Sequence, residues 1–547
     1  MVSSISTVTS KVRLPRRDVL RLSAAATSIV ALDRIALPNE VRAIAPDRSI
    51  FSRQATPAAG DPVEVRLADD ASAAFTAVAE SLGGAMTQMG VPGATLGILS
   101  GGTVEVATLG VASLESGSAV ADDTLFQIGS LTKTMTATAA MRLVDAGLLD
   151  IDEPVRSYLP EFRVADESVS ERVTVRHLLT HTGGWWGDYF VETGEDDADG
   201  LALVRDIFPE LPQLSPLGAL FSYNNAGFCL LGSVIATVHG TSYRQAMDDL
   251  VFGPLGMTAT TFDRAVVEAG AYSEGYADPG SGNELQSPLY FPRNVDPAGG
   301  AWSTAADILR YARFHMGDGT AGGDGEGETL LSPYALRFMR QPQVNISSQP
   351  GMSVGMSWLL TGAGTTPLAL HPGDTFGQHA EFWMAPEAGF AFVVLINAAP
   401  GGALASAQSF AAAAEAYDEL ADLRESGSVS LVGGEDEGTP EAGATPAMPA
   451  IDPSEYVGRY AVPNSALTFQ PDGDGLTLLF EITPLPDEVV ATVSPPTEPE
   501  VAAEFVGPDL IQATIQGLPL TLSFVRRPDG TVRYVDVGFR LSPRVED

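Results

Sequence analysis

The chain has 547 residues, 45% of them hydrophobic, with 69 Asp and Glu against 31 Lys and Arg and a formal charge of −38. That length supports more than one domain and a substantial core, and the acidic excess repels phosphate backbones and anionic lipid, which argues against nucleic-acid and membrane-surface partners. Its single cysteine, Cys229, excludes an intrachain disulfide and a cysteine-based zinc cluster.

In chain order, residues 1–45 read as an export signal. Arg16-Arg17 precede a mild apolar stretch from Leu22 to Leu32, too short to span a bilayer, and Ala43-Ile44-Ala45 offers a small-x-small cleavage site. The paired arginines fit a twin-arginine leader, whose pathway carries folded cargo. A Sec leader and a basic amphipathic start on a cytosolic protein are the alternatives. Without these residues, which hold seven Lys/Arg and three Asp/Glu, the formal charge deepens to −42. An acidic surface of that kind also suits a high-salt medium. The expectation is an exported protein, periplasmic, extracellular or at the cell surface, with no stable membrane insertion after signal removal.

Residues 46–62 form a polar linker, and 63–425 alternate helices with short strands. "GATLGILSGGTVEVATLGVAS" predicts two strands with Gly101-Gly102 at the hairpin turn. Thr304-x-x-Asp307 predicts a capping box ahead of "ADILRYARFHM", and "FAFVVLINAA" predicts a buried strand. Strands at both ends with helices between predict a sheet whose first and last members meet in space. Residues 426–450, rich in Gly, Pro and acids, read as a second linker. Residues 451–547 alternate apolar and polar positions around Asp-Gly turns, the pattern of a small all-β, barrel-like domain.

The chemistry centres on "FQIGSLTKT". The chain has only two lysines, Lys11 and Lys133, and arginine takes every other basic position. In a helix Ser130 and Lys133 share a face. A desolvated lysine there loses its proton readily and, as a neutral amine, can take one from the serine hydroxyl. Arginine cannot deprotonate, so a site needing a neutral base cannot accept the substitution made elsewhere. The bland alternative is a helix-capping serine followed by a solvated lysine. A second candidate is "FSYNNAGF", where the Tyr223 phenol can relay protons and Asn225 can orient an amide; its alternative is an ordinary turn into a helix. A third is "HPGDTFGQHAEFW", in which Gly373 would let substrate approach a strand edge; its alternative is a Pro-Gly turn.

In this order Ser130-x-x-Lys133, Tyr223-x-Asn225 and His371-x-Gly373 resemble the serine β-lactamase and penicillin-binding protein family. The nearer branch includes class C β-lactamase-like esterases, D-aminopeptidases and D-alanyl-D-alanine carboxypeptidases. The likeness spans roughly residues 65–420 and includes "HLLTHTGGW" and "PAGGAWSTAADILRYARFH". It implies an α+β fold, an antiparallel sheet flanked by helices plus a helical lobe, and a serine hydrolase acting through an acyl-enzyme on ester, amide or β-lactam bonds. Carried onto this chain, Ser130 is the nucleophile and Lys133 and Tyr223 share the acid and base work. Asn225, His371 and Gly373 bind substrate, and the backbone N–H groups of Ser130 and Asp374 form the oxyanion hole. No metal or cofactor is implied.

Two departures bear on substrate. The third motif has His371 where penicillin-active members carry lysine, so carboxylate recognition is weakened. Asp374 places an acid beside the proposed oxyanion hole, an arrangement that would favour amine-bearing substrates. Two other signals carry less. His177 and His181 stand at a spacing that can hold zinc on a helix, but no Glu lies between them. Glu195-x-Asp197-x-Asp199 only loosely echoes a calcium loop. The competing functional reading is a penicillin-binding sensor that acylates without turnover. A further one gives the C-terminal module an anchoring or cleft-shaping role.

Overall fold

The computed structural model describes residues 62–421 and 451–545, apart from 189, 192, 195–205, 278–281, 287–288, 326, 364–365, 400, 484–488, 491–499 and 516–517. The export signal, both linkers save residue 62, and the calcium-like acidic stretch 195–199 lie outside the described residues.

The main sheet is antiparallel throughout. Its order is Val65–Arg66, Thr103–Gly110, Gly93–Ser100, Phe390–Ile396, His379–Ala385, Thr366–Leu370, Leu359–Ala363, Ser353–Val354 and Val344–Asn345, with Gly373–Asp374 also paired to His379–Ala385. The predicted hairpin is present: Ser100 pairs with Thr103, and Gly101 (φ +55°) and Gly102 (φ +84°) both adopt the left-handed backbone that a two-residue turn requires. The first and last strands of the sequence pattern do meet, Ala94 pairing with Ile396 and Leu99 with Ala391.

All seven residues of Phe390–Ile396 are buried because both faces of the sheet are covered. Phe390, Phe392, Val394 and Ile396 pack in one apolar core with Phe75 and Phe410, from the helices Ala73–Met89 and Gly401–Ala416. Ala391, Val393 and Leu395 point the other way, into a core with Ile308 and Leu309. The period-two alternation of a strand thus serves two cores at once. Ile308 and Leu309 belong to the helix Ala305–Met316, where only half of the expected capping box forms. Thr304 Oγ1 accepts from Asp307 N at 3.3 Å, but the Asp307 carboxylate accepts instead from Ala259 N (2.8 Å) and Thr260 Oγ1 (3.0 Å), tying the helix to a neighbouring segment. The helical lobe, including Thr132–Asp145 and Asn225–His239, shares this second core.

The C-terminal part is an eight-stranded antiparallel sheet running in sequence order from Gly458–Val462 to Arg540–Pro543. An antiparallel bridge between Tyr460 and Arg544, and a 2.7 Å bond from Val545 N to Arg459 O, bring its ends together as a nearly closed barrel. Glu500–Gly507 alternates exposed and buried residues, and Tyr460, Phe469 and Phe524 fill the interior. Among the described residues no helix is long and apolar enough to cross a membrane.

Candidate active site

Ser130 sits in a short 3-10 turn, Gly129–Leu131, that runs directly into the helix Thr132–Asp145. Lys133, one turn on, is fully buried. Its Nζ lies 3.0 Å from Ser130 Oγ and donates to the Ala298 carbonyl at 2.5 Å. Aromatic rings surround it, the Tyr223 centroid at 4.9 Å and the Phe228 centroid at 5.7 Å. Burial lowers the Lys133 pKa from 10.5 to about 7; nearby Cys229 and Asp188 oppose that shift and Arg540 adds to it. With one N–H engaged by Ala298, the neutral amine has a lone pair available to the serine hydroxyl.

Tyr223 ends the loop before the helix Asn225–His239. Asn224 caps that helix, its side chain accepting from Gly227 N at 2.7 Å, so Asn225 is the first helical residue rather than a loop residue. The Tyr223 ring stacks on His181 with centroids 4.4 Å apart and planes 20° apart. Its buried hydroxyl makes no short hydrogen bond among the described residues. Burial raises the Tyr223 pKa, the neighbouring Ser130 hydroxyl opposing, so the phenol stays protonated across the neutral range. Asn225 Nδ2 donates to Asp188 Oδ1 at 2.7 Å.

His181 stands in the left-handed region (φ +54°) and its Nδ1 accepts from Asn224 N at 2.9 Å. Burial keeps it neutral. Its sequence neighbour at i−4 does different work: Thr174 N donates to His177 Nδ1 at 3.0 Å, closing a capping box. The pair considered for zinc is therefore split between a helix cap and the tyrosine.

The third motif lies against the first. A Cβ on Gly373 would stand 2.0 Å from the Ile128 carbonyl and 2.9 Å from Ser130 N, and one on Gly129 (φ +52°) would stand 2.8 Å from Asp374 N. Gly373 thus admits the chain's own helix entrance, a packing reason for glycine that the sequence reading did not include. The same contact sets the backbone of Ser130 beside that of Asp374, the arrangement two converging N–H donors require. His371 is buried, its Nδ1 donating to the Pro372 carbonyl at 2.7 Å, and its ring centroid is 6.2 Å from that of Tyr223. Burial, aided by the charge of Lys133, pushes His371 down to about 3, so it is a neutral imidazole rather than the partial cation expected.

The Asp374 carboxylate is already engaged. His379 Nδ1 lies 2.8 Å from it and His379 Nε2 is 3.3 Å from Glu381, which also accepts from Trp383 Nε1 at 2.6 Å. Burial works against a charged His379, but Asp374 and Glu381 prevail and push it up to about 10. An acid held by an internal cation is a poor receptor for a substrate amine, which removes the reason for expecting amine-bearing substrates.

The structure therefore brings Ser130, Lys133, Tyr223, Asn225, His371, Gly373 and Asp374 into one region. Sequence reasoning weighed His181 only as a zinc ligand and missed Asp188, His379 and Arg540. Only the aromatic-rich "HTGGWWGDYF" around the first two offered any signal.

The family profile described as Beta-lactamase matches residues 78–416. The chain is 32% identical over 381 residues to penicillin-binding protein 4 of Amycolatopsis lactamdurans, covering 68% of this chain and 94% of that protein. It is 34% identical over 235 residues to esterase EstB of Burkholderia gladioli, covering 37% of this chain and 59% of the esterase. Among solved structures, SurE superposes with a TM-score of 0.65 at 25% identity, covering 86% of this chain and 99% of SurE.

Proposed function

The chain belongs to the Beta-lactamase family, whose members are mostly serine hydrolases, and on that premise we propose an exported serine hydrolase that cleaves ester, amide or β-lactam bonds through an acyl-enzyme. The observation that carries this reading is the 3.0 Å approach of a fully buried Lys133 amine to Ser130 Oγ. As Oγ attacks a carbonyl carbon, its proton passes to Nζ and the negative charge grows on the carbonyl oxygen near the Ser130 and Asp374 backbones. Collapse breaks the bond to the leaving group, which takes a proton relayed through Tyr223. Water then attacks the acyl-enzyme, giving up its proton to the same relay, and releases the acid with Ser130 restored.

Esters and small peptides are the first substrates to test and β-lactams the second, because a neutral His371 replaces the cation expected of penicillin-active sites. The twin-arginine-like leader supports export, and the acidic composition supports a small-molecule or peptide partner rather than nucleic acid. The test is a turnover screen with a chromogenic cephalosporin, short-chain nitrophenyl esters and D-amino-acid nitroanilides, with Ser130→Ala as blank. Steady, Ser130-dependent turnover of any of them supports the proposal. A stoichiometric burst with no turnover would make the protein an acylating sensor instead.

A further inference from the structure

One hairpin of the C-terminal barrel reaches into the hydrolase site. Its strands are Val532–Val537 and Arg540–Pro543, and Val537 pairs with Arg540 across the two-residue tip Gly538-Phe539. Both tip residues have positive φ, +53° for Gly538 and +72° for Phe539. A bulky residue in that region is strained, and such strain persists where surrounding contacts demand it. The contacts are here. Tyr223 N donates to the Phe539 carbonyl at 2.7 Å, Leu541 N donates to Ser222 Oγ at 3.2 Å, and the Phe539 ring packs edge-on against Phe221 at 6.0 Å.

Arg540 follows the tip. Its Nε and Nη2 both bond the Asp188 carboxylate, Nη2 to Oδ1 at 3.2 Å, and Nη1 donates to the Gly538 carbonyl at 3.1 Å. Asp188 Oδ1 is the same oxygen that accepts from Asn225 Nδ2. The guanidinium also lies 5.2 Å from the Tyr223 ring centroid. A two-donor arginine–carboxylate pair fixes the orientation of the carboxylate as well as its position.

We propose that Arg540 is a positioning residue supplied by the barrel: it locks Asp188, Asp188 holds the Asn225 amide, and the hairpin tip fixes the Tyr223 backbone. The inference rests on the hydrolase reading. It makes the barrel part of the reaction centre rather than an appendage.

The pair also sets the electrostatics of the base. The groups facing Lys133 are Ser130, Tyr223, Cys229, His181, His371, Asp188 and Arg540, while Asp296 in the adjacent turn is held by Arg244. Of the charged pair, Arg540 disfavours the protonated amine and Asp188 favours it. Replacing each should move the acid limb of kcat/KM in opposite directions, which a loss of packing alone would not do.

The experiment uses the full chain and the fastest substrate of the turnover screen, with folding checked by circular dichroism. Arg540→Gln is expected to lower kcat/KM about ten- to hundredfold, mostly in kcat. Adding Asn225→Ala to it should cost no more than about threefold further, because the two share one network. The acid limb should rise in Arg540→Gln and fall in Asp188→Asn. Parent-like kcat/KM in folded Arg540→Gln, or fully multiplicative losses with an unmoved acid limb, would overturn the proposal. If Arg540→Gln does not fold, Arg540→Lys takes its place. A loss of at least about fivefold with the acid limb in place supports the proposal, and parent-like kcat/KM overturns it. A parent enzyme that turns over none of the three substrate types would instead count against the hydrolase reading itself.

Discussion

Replacing Lys133 by methionine should destroy activity and, at low pH, make the protein more stable. Burial lowers the lysine pKa from 10.5 to about 7. Below pH 7 the folded protein therefore holds a cation in an apolar site, at a cost of about 5 kcal/mol (3.5 pKa steps at about 1.36 kcal/mol each). The unfolded chain binds more protons than the folded one between pH 7 and 10.5, so this cost shrinks as pH rises and vanishes above 10.5. Methionine removes it but strands the Ala298 carbonyl, at about 1–3 kcal/mol. The balance favours Lys133→Met by about 2–4 kcal/mol at pH 6, and the advantage should be gone by about pH 9.5. Urea unfolding followed by tryptophan fluorescence reads this directly. All five tryptophans (185, 186, 302, 358 and 383) lie in the hydrolase part and none in the barrel. A variant less stable than the parent at pH 6, or a difference that ignores pH, would mean that the amine is solvated and charged, and the proton-transfer reasoning would fall.

Tyr223→Phe should lower kcat/KM about 10²- to 10⁴-fold with little change in KM, measured by steady-state kinetics, since it removes a proton relay and keeps the ring that stacks on His181. In the parent, kcat/KM should rise with pH through an acid limb near about 7, as Lys133 loses its proton; a flat profile from pH 5 to 9 would contradict this. Gly129→Ala should cut kcat about 10²- to 10³-fold, because its Cβ would push Asp374 N away from Ser130 N, and a single-turnover acylation assay would show it. Asp536→Asn in the barrel should stabilise the protein at pH 7. Burial raises the Asp536 pKa to about 6, so the charged fold pays about 3 kcal/mol there and nothing below pH 3.8; urea midpoints at pH 7 and 4 would test the contrast.

What was legible in the sequence is what depends on short spacings. Ser130 and Lys133 are one helical turn apart, Gly101-Gly102 announces a two-residue turn, and the run 390–396 announces a doubly covered strand. What was not legible depends on partners far along the chain. Asp188 and Arg540 are 352 positions apart, and neither residue type in its local setting signals a buried pair. The Asp374 carboxylate looked free until the strand pairing put His379 opposite it. Asp307 carried the right residue for a capping box, but Thr260 and Ala259 outcompeted the cap for its oxygens. Local chemistry predicts what a side chain is able to do, and topology decides which neighbour it does it with.

Gly93 donates to the Asn397 side chain across 304 positions, so the middle of the main sheet joins stretches made early and late in translation. Such distant pairing is slow to form and waits for the ribosome to finish most of the chain. The serine is synthesised long before the strand that lies against it, and an early-terminated fragment would lack the seam on which the whole cleft is hung. Premature release would yield a polypeptide without its central strand pair.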